Sequence, residues 1–288
     1  MKNYNCIFTG GSTRGLCYVG VLKAFEEQNI TINIHAGSSI GALIITFYAL
    51  GYTSSEIEYE VNNLDLYKLF LDFNFNIISD FAFSRGNIYL NWLRDKVESK
   101  YYGKNYKKGK MPKVCFKDID KNIIIVATNL ETSELEVFSK ETTPDMEIAL
   151  ALRITSSMPG LLKPVVYEGK TLIDGDILRG RPIWKIVNKL IKEPDKLLEF
   201  RITGGNKNKI SRNPIKLVNS IVNACAYTID NDAVNTYKDY INIIQIDVKD
   251  LLFTDFKLSR GQKKEIYKIG YDKTIKYFKI KNQKKDVK

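Results

Sequence analysis

Between Ile30 and Gly51 a strand-like run, Ile30 to His35, passes through Gly37-Ser38-Ser39-Ile40-Gly41 directly into an apolar helix. Glycines two positions before and two after Ser39 remove the side chains that would collide in so abrupt a strand-to-helix turn. The same grammar occurs once earlier. Residues 5–9 read as a short apolar strand, a Gly/Ser/Thr turn follows, and Leu16, Val19, Leu22 and Phe25 then recur at helical spacing. Two strand-loop-helix units in succession argue for an α/β fold on a parallel or mixed sheet, with functional loops at the carboxyl ends of the strands.

Further along, Tyr52 to about Pro112 turns helical and rich in aromatics, with Tyr67, Phe70, Phe73, Phe75, Phe81 and Phe83 close together, and reads as a cap or lid insertion over about 52–112. Strands are expected at Asn122–Thr128 and Leu135–Phe138 across the Glu131-Thr132-Ser133 turn. A helix is expected from Thr143-Pro144 to about Ile154, then strands at Pro164–Tyr167 and Thr171–Ile173, the latter ending at Asp174-Gly175-Asp176. The last third alternates helix (215–235), strand (241–247) and helix (260–280). One domain over 1–272 is the simplest division, followed by a basic tail, 273–288, with seven lysines and one aspartate.

Lys and Arg outnumber Asp and Glu 44 to 33, a formal charge of +11, which favours anionic partners such as lipid surfaces or nucleic acid. The apolar run Ile40 to Leu50 is far short of the roughly 20 residues of a membrane-spanning helix. The first residues resemble no signal peptide, so an intracellular, cytoplasmic or peripheral-membrane setting is expected. Cys6, Cys17, Cys115 and Cys225 show no metal-ligand or redox spacing, and no acidic calcium loop or histidine pair occurs, so neither a metal nor another cofactor is implied.

The elbow geometry singles out Ser39 as a nucleophile, against the plainer reading of a serine that caps a helix. Ser38 lacks the flanking glycines. A serine hydroxyl needs a base to take its proton. The only histidine, His35, lies four residues before Ser39 within the entering strand and reads as a satisfied strand-end residue. The base is then a carboxylate, and Asp174, closing a strand and followed by Gly175, is the best placed, although Asp-Gly is equally a turn signal. The third element, Gly10-Gly11-Ser12-Thr13-Arg14-Gly15, opens the first long helix, where backbone N–H groups can hold an oxyanion. Leu16 and Cys17 stand where a phosphate-binding loop would carry Lys and Ser or Thr.

In order and approximate separation these three segments resemble the patatin-like phospholipase family, whose pattern is G-G-G-x-R/K-G, then G-x-S-x-G, then D-G-G or D-G-A. Gly20-Val21-Leu22-Lys23-Ala24-Phe25-Glu26-Glu27 is similar to its first helix, and Ser156-Ser157-Met158-Pro159-Gly160 to its loop before the aspartate strand. The resemblance covers about residues 5–190. It implies a three-layer α/β sandwich with a central, mostly parallel sheet and a helical cap. It also implies a serine lipid acyl hydrolase, a phospholipase A or related lipase, working through an acyl-Ser39 intermediate.

Carried over by position, Ser39 and Asp174 form a Ser-Asp dyad, and Gly10, Gly11, Ser12 and Thr13 form the oxyanion loop. Arg14 anchors that loop or meets a lipid phosphate, and Gly15, Gly37, Gly41 and Gly175 support the motifs. Two positions depart from the pattern: Ser12 replaces the third glycine, and Asp176 puts a second carboxylate two residues from the base. The expected substrate is a phospholipid or neutral lipid, with contact to anionic membranes and no nucleic acid. Acyl transfer through the same intermediate, and a non-catalytic lipid or nucleic-acid binder on the same fold, are the alternative readings.

Overall fold

Alternation along the strands divides the core in two. In β1 (Lys2–Phe8) Tyr4, Cys6 and Phe8 enter one buried cluster while Ile7 enters the other, because successive side chains of a strand face opposite sides. The computed structural model describes residues 2–64, 82–178, 196–204, 241–251 and 257–286, with isolated positions 72, 183, 193, 235–236 and 255.

Among the described residues the main sheet has eight strands. Five run parallel, in the order β10 (Asn242–Asp247), β9 (Leu197–Thr203), β1, β2 (Ile30–Gly37) and β4 (Asn122–Asn129). Antiparallel β8 (Lys170–Asp174) pairs with β4 beyond the end of β2, with β7 (Val165–Tyr167) beside it, and β5 (Glu134–Ser139) pairs along the other edge of β4. A separate pair joins β3 (Ala82–Ser84) to β6 (Gly160–Leu162). The expected α/β fold with a mostly parallel central sheet is what forms.

The register on β4 aligns the ends of two other strands. Gly37, the last residue of β2, lies opposite Ile125, and Asp174, the last residue of β8, lies opposite Ala127 on the same edge. The exits of β2 and β8 therefore lie two positions apart along one strand, so the elbow and the Asp-Gly turn emerge side by side.

The larger cluster is roofed by helices. α1 (Leu16–Glu27) and α2 (Ser39–Ala49) are buried along most of their length, as their apolar composition requires. α3 (Ser54–Asn63), α4 (Asn87–Tyr102) and α5 (Ile148–Thr155) add Ile57, Leu93, Val97 and Leu152 to the same cluster. α3 begins at a capping box, Thr53 with Glu56, which satisfies donors that a helix start leaves free. The smaller cluster holds Ile7, Ile34, Ala36, Ile124 and Val126 on the opposite face. The helix expected at 215–235 and most of the aromatic stretch read as a lid lie outside the described residues.

Two expectations about elements require correction. The helix expected to open at Thr143-Pro144 begins only at Ile148. Residues before it are drawn into pairing with the segment around Cys115: Phe116 N–H donates to Met146, Lys117 N–H to Pro144, and Ile148 N–H to Val114. Those backbone groups are spent on a strap across the chain, so the helix does not extend back through them. The basic run from Lys273, expected as a solvated tail, instead continues α6 (Arg260–Asp286) without a break. Its inner face, Ile266, Gly270, Thr274 and Phe278, is buried at intervals of four, while Lys273, Lys276 and Lys279 stay exposed. Phe278 packs edge-on against Phe25 of α1. The lysine count masked an amphipathic stripe whose few apolar members are enough to dock the helix.

Candidate active site

Ser39 is the first residue of α2, and its backbone takes φ +48°, the left-handed region that costs a side-chain-bearing residue about 1–2 kcal/mol. The chain turns through that point because nothing larger than hydrogen fits beside it. A β-carbon on Gly41 would stand 2.2 Å from the Phe8 carbonyl oxygen, and one on Gly37 would stand 2.7 Å from the same atom. The carboxyl end of β1 thus sits against the elbow.

Two hydrogen bonds hold Ser39. Its backbone N–H donates to Thr155 Oγ1 at 2.9 Å, and Thr155 in turn donates to the Val126 carbonyl of β4 at 2.6 Å. Its hydroxyl donates to Asp174 Oδ2 at 2.8 Å. The hydroxyl therefore does not cap the helix; Ser38 occupies that position, without a side-chain capping bond.

Asp174 is 1% exposed and fixed on every side. Its N–H donates to the Ser157 carbonyl, its carbonyl accepts from Thr128 Oγ1 at 2.9 Å, and its Oδ1 accepts from the Asp176 N–H at 2.8 Å. Burial pushes its pKa up to about 8 by stripping solvation from the charged form, and the negative charge of Asp176 adds to the shift by repelling it. Hydrogen bonds from Asp176 N–H and Ser39 act in the opposite sense and are outweighed.

The glycine loop begins as Gly10-Gly11 and closes in a short 3-10 turn, Ser12–Gly15, that leads into α1. Ser12 takes φ +56°, so the serine that replaces a glycine of the family pattern adopts a backbone conformation that favours glycine. Gly10 does not offer its N–H to the site: it donates to Asp176 Oδ1 at 2.9 Å. Arg14 is buried and donates to the Gly11 carbonyl of the loop at 3.1 Å and to the Gly204 carbonyl just after β9 at 3.2 Å.

Ser39 and Asp174 open onto a cavity of about 120 Å³. Ser12 and Thr13 of the glycine loop line the same space, and most of the remaining wall is apolar: Leu16, Ile40, Leu43, Val61, Leu161 and Leu162 among others. Val61 and Asn62 come from α3 and Tyr89 from α4, so helices of the segment read as a cap form part of the wall. His35, by contrast, is buried inside β2 and does not line the cavity. Burial pushes its pKa down to about 3, and its Nδ1 has no partner among the described residues, so the satisfied contact expected of it is incomplete. Also among the described residues, no group of three or more His, Cys, Asp or Glu side chains could hold a metal ion, and no helix is long and apolar enough to cross a membrane.

The description "Patatin-like phospholipase" matches residues 7–185, which takes in the glycine loop, the elbow and the Asp174 turn together. The chain belongs to the patatin-like phospholipase family. Among relatives, protein R571 of Acanthamoeba polyphaga mimivirus is 28% identical over 289 residues, 96% of this chain and 94% of that protein. A second, named "Probable lipid hydrolase 463L", of Invertebrate iridescent virus 6, is 28% identical over 183 residues, covering 62% of this chain and 61% of that protein. In three dimensions VipD from Legionella pneumophila superposes with a TM-score of 0.62 at 18% identity, over 95% of this chain and 66% of that one. That likeness speaks to the fold alone. For a patatin-like chain a lipid substrate and hydrolase activity are the coarse expectation, and the cavity described above is of matching chemistry.

Sequence reasoning missed Thr155 and Tyr89. Thr155 fixes the elbow from a helix 116 residues away in sequence, and a lone threonine in an apolar helix carries no pattern that would have singled it out. Tyr89, paired with Ser156 at 3.3 Å, is one aromatic among many in its segment.

Proposed function

We propose that this protein is a serine lipid acyl hydrolase that cleaves fatty acyl esters through an acyl-Ser39 intermediate, with Asp174 as the base. The observation that carries this reading is the 2.8 Å hydrogen bond between Ser39 Oγ and Asp174 Oδ2 on the wall of an apolar cavity. A nucleophile in contact with its base, beside a space fit for an acyl chain, is what ester cleavage requires.

Ser39 Oγ attacks the ester carbonyl carbon as its proton passes to Asp174. The carbonyl oxygen becomes an oxyanion, held by backbone N–H groups of Gly11, Ser12 and Thr13 beside the positive end of α1. Gly10 is left out of that set, since its N–H is already given to Asp176. Collapse of the tetrahedral species breaks the bond to the leaving alcohol, which takes the proton from Asp174. Water repeats the sequence on the acyl-enzyme, giving up its proton to Asp174, and Ser39 regains one as the fatty acid leaves. A carboxylate of ordinary pKa, about 3.9, is a weak base at neutral pH, whereas one pushed up to about 8 is matched to the task.

Lipid bilayers are the natural source of such esters, and the excess of positive charge favours anionic membrane surfaces as the place where substrate is met. The test is lipid mass spectrometry on mixed phospholipid and neutral-lipid suspensions, incubated with wild type and Ser39→Ala in the presence of a chelator. Fatty acid released only by wild type is expected. Equal release by both would remove Ser39 from the reaction, and no release from any lipid would remove hydrolysis.

A further inference from the structure

Asp176 occupies the position where the family pattern has Gly or Ala, yet it is buried, at 6% exposure, among the parts of the site rather than turned away from them. One oxygen, Oδ1, accepts the Gly10 N–H at 2.9 Å and the Ser38 hydroxyl at 3.2 Å. Gly10 belongs to the glycine loop after β1, Ser38 to the elbow after β2, and Asp176 itself to the turn after β8. These are the three segments on which the proposed reaction depends. An uncharged glycine or alanine at this position offers no side-chain acceptor, so the loop and the elbow would lose this shared tie.

We propose that Asp176 is a positioning residue that fixes the glycine loop relative to Ser39. Its carboxylate, tied to both segments, also places negative charge beside Asp174. This rests on the acyl-hydrolase reading above. Charge-assisted hydrogen bonds are shorter and stronger than neutral ones, so a carboxylate is a firmer clamp here than an amide would be. The clamp also bears on Ser12, two residues from Gly10, which holds a left-handed backbone without being glycine. A loop so constrained keeps its N–H groups aimed only if its stem cannot drift.

The ionisable groups around Asp176 come from several elements. Asp174 lies on β8, and Tyr89 approaches Asp174 from α4. Glu199 on β9 lines, with Ser38 and Gly175, a small cavity behind the elbow, and is itself paired with Arg201 at 2.7 Å. Replacing Asp176 by Asn leaves these groups in place and removes one negative charge beside Asp174.

The experiment compares wild type, Asp176→Asn and Asp176→Ala on one lipid ester across pH, with the concentration of competent sites counted by covalent labelling of Ser39. For Asp176→Ala, kcat per labelled site is expected to fall on the order of 100-fold with KM little changed, because the oxyanion donors lose alignment. For Asp176→Asn, which keeps an oxygen acceptor, kcat is expected to recover most of that loss, and the acid limb of the pH profile is expected to move to lower pH. If Asp176→Ala does not fold, Asp176→Ser, whose shorter side chain carries no carboxylate oxygen to Gly10 and Ser38, takes its place, and kcat per labelled site is read in the same way. An unmoved limb with wild-type kcat per site in the variants that fold would overturn the proposal. Absence of Ser39-dependent turnover in wild type would instead sink the hydrolase reading and this inference with it.

Discussion

Ser39 donates its hydroxyl to Asp174 across 2.8 Å although 135 positions of chain separate them, because β4 holds the exits of β2 and β8 two residues apart. In the proposed reaction the pair serves as nucleophile and base only when Asp174 is free to accept a proton. Its pKa is pushed up to about 8, so at neutral pH most of the sites hold that proton already. The rate at subsaturating substrate should therefore climb about tenfold per pH unit below about 8 and level off above it. A profile of kcat/KM against pH on a soluble ester whose own charge does not change will check this. A plateau extending down to about pH 5 would mean that Asp174 is not the group that sets the rate.

The same shift makes a stability prediction of definite sign. Folded Asp174 keeps its proton up to about pH 8, whereas in the unfolded chain it is lost near about pH 4. Between these values the folded state binds more protons, so stability falls as pH rises through the window. Asp174→Asn removes that contribution while preserving shape. Its melting temperature should exceed that of wild type by a margin that grows from about pH 4 to about pH 8, measured by thermal unfolding at several pH values. A margin that is constant, or largest in acid, would contradict the assignment.

What could be read in the chain beforehand follows from how local each signal was. Strand-to-helix alternation, the paired glycines around Ser39 and the short strand before Asp174 are local patterns, and β2, α2 and β8 formed close to where they were expected. The late start of α5 and the docking of α6 were not legible, since each depends on a partner distant in sequence: the strap at 114–117 for one, α1 for the other. The motif positions named the candidate pair, but which N–H groups are already committed is a property of three dimensions. Gly10 looked like an oxyanion donor from its place in the loop and proved to be bonded to Asp176.

Thr155 is fully buried between the elbow and β4, accepting from Ser39 N–H and donating to the Val126 carbonyl. Thr155→Val keeps the volume and strands both partners. An unsatisfied buried group costs about 1–3 kcal/mol, so chemical denaturation should show a loss of that order. Because one of the stranded groups is the N–H of Ser39, the proposed nucleophile, kcat should fall as well. Thr155→Ser, which restores the hydroxyl, should recover kcat more fully than Thr155→Val does, and equal rates for the two would assign Thr155 to packing alone.

The apolar wall gives a prediction about substrate rather than mechanism. Val61 of α3 faces the cavity without touching the Ser39 and Asp174 pair through any hydrogen bond, and it packs partly buried against the core. Val61→Trp should fill the space that the proposed reaction gives to the acyl chain while leaving the elbow intact. Each methylene denied its apolar contact forfeits about 0.8 kcal/mol, so exclusion of two costs about 1.6 kcal/mol, roughly 15-fold in kcat/KM. The loss should appear with long-chain esters and be small with acetyl or butyryl esters, whose chains end before the obstruction. Measuring kcat/KM along a series of acyl lengths separates the two cases. A uniform loss at every length would mean that the substitution disturbs the chemistry, and no loss at any length would mean that the acyl chain leaves by another path.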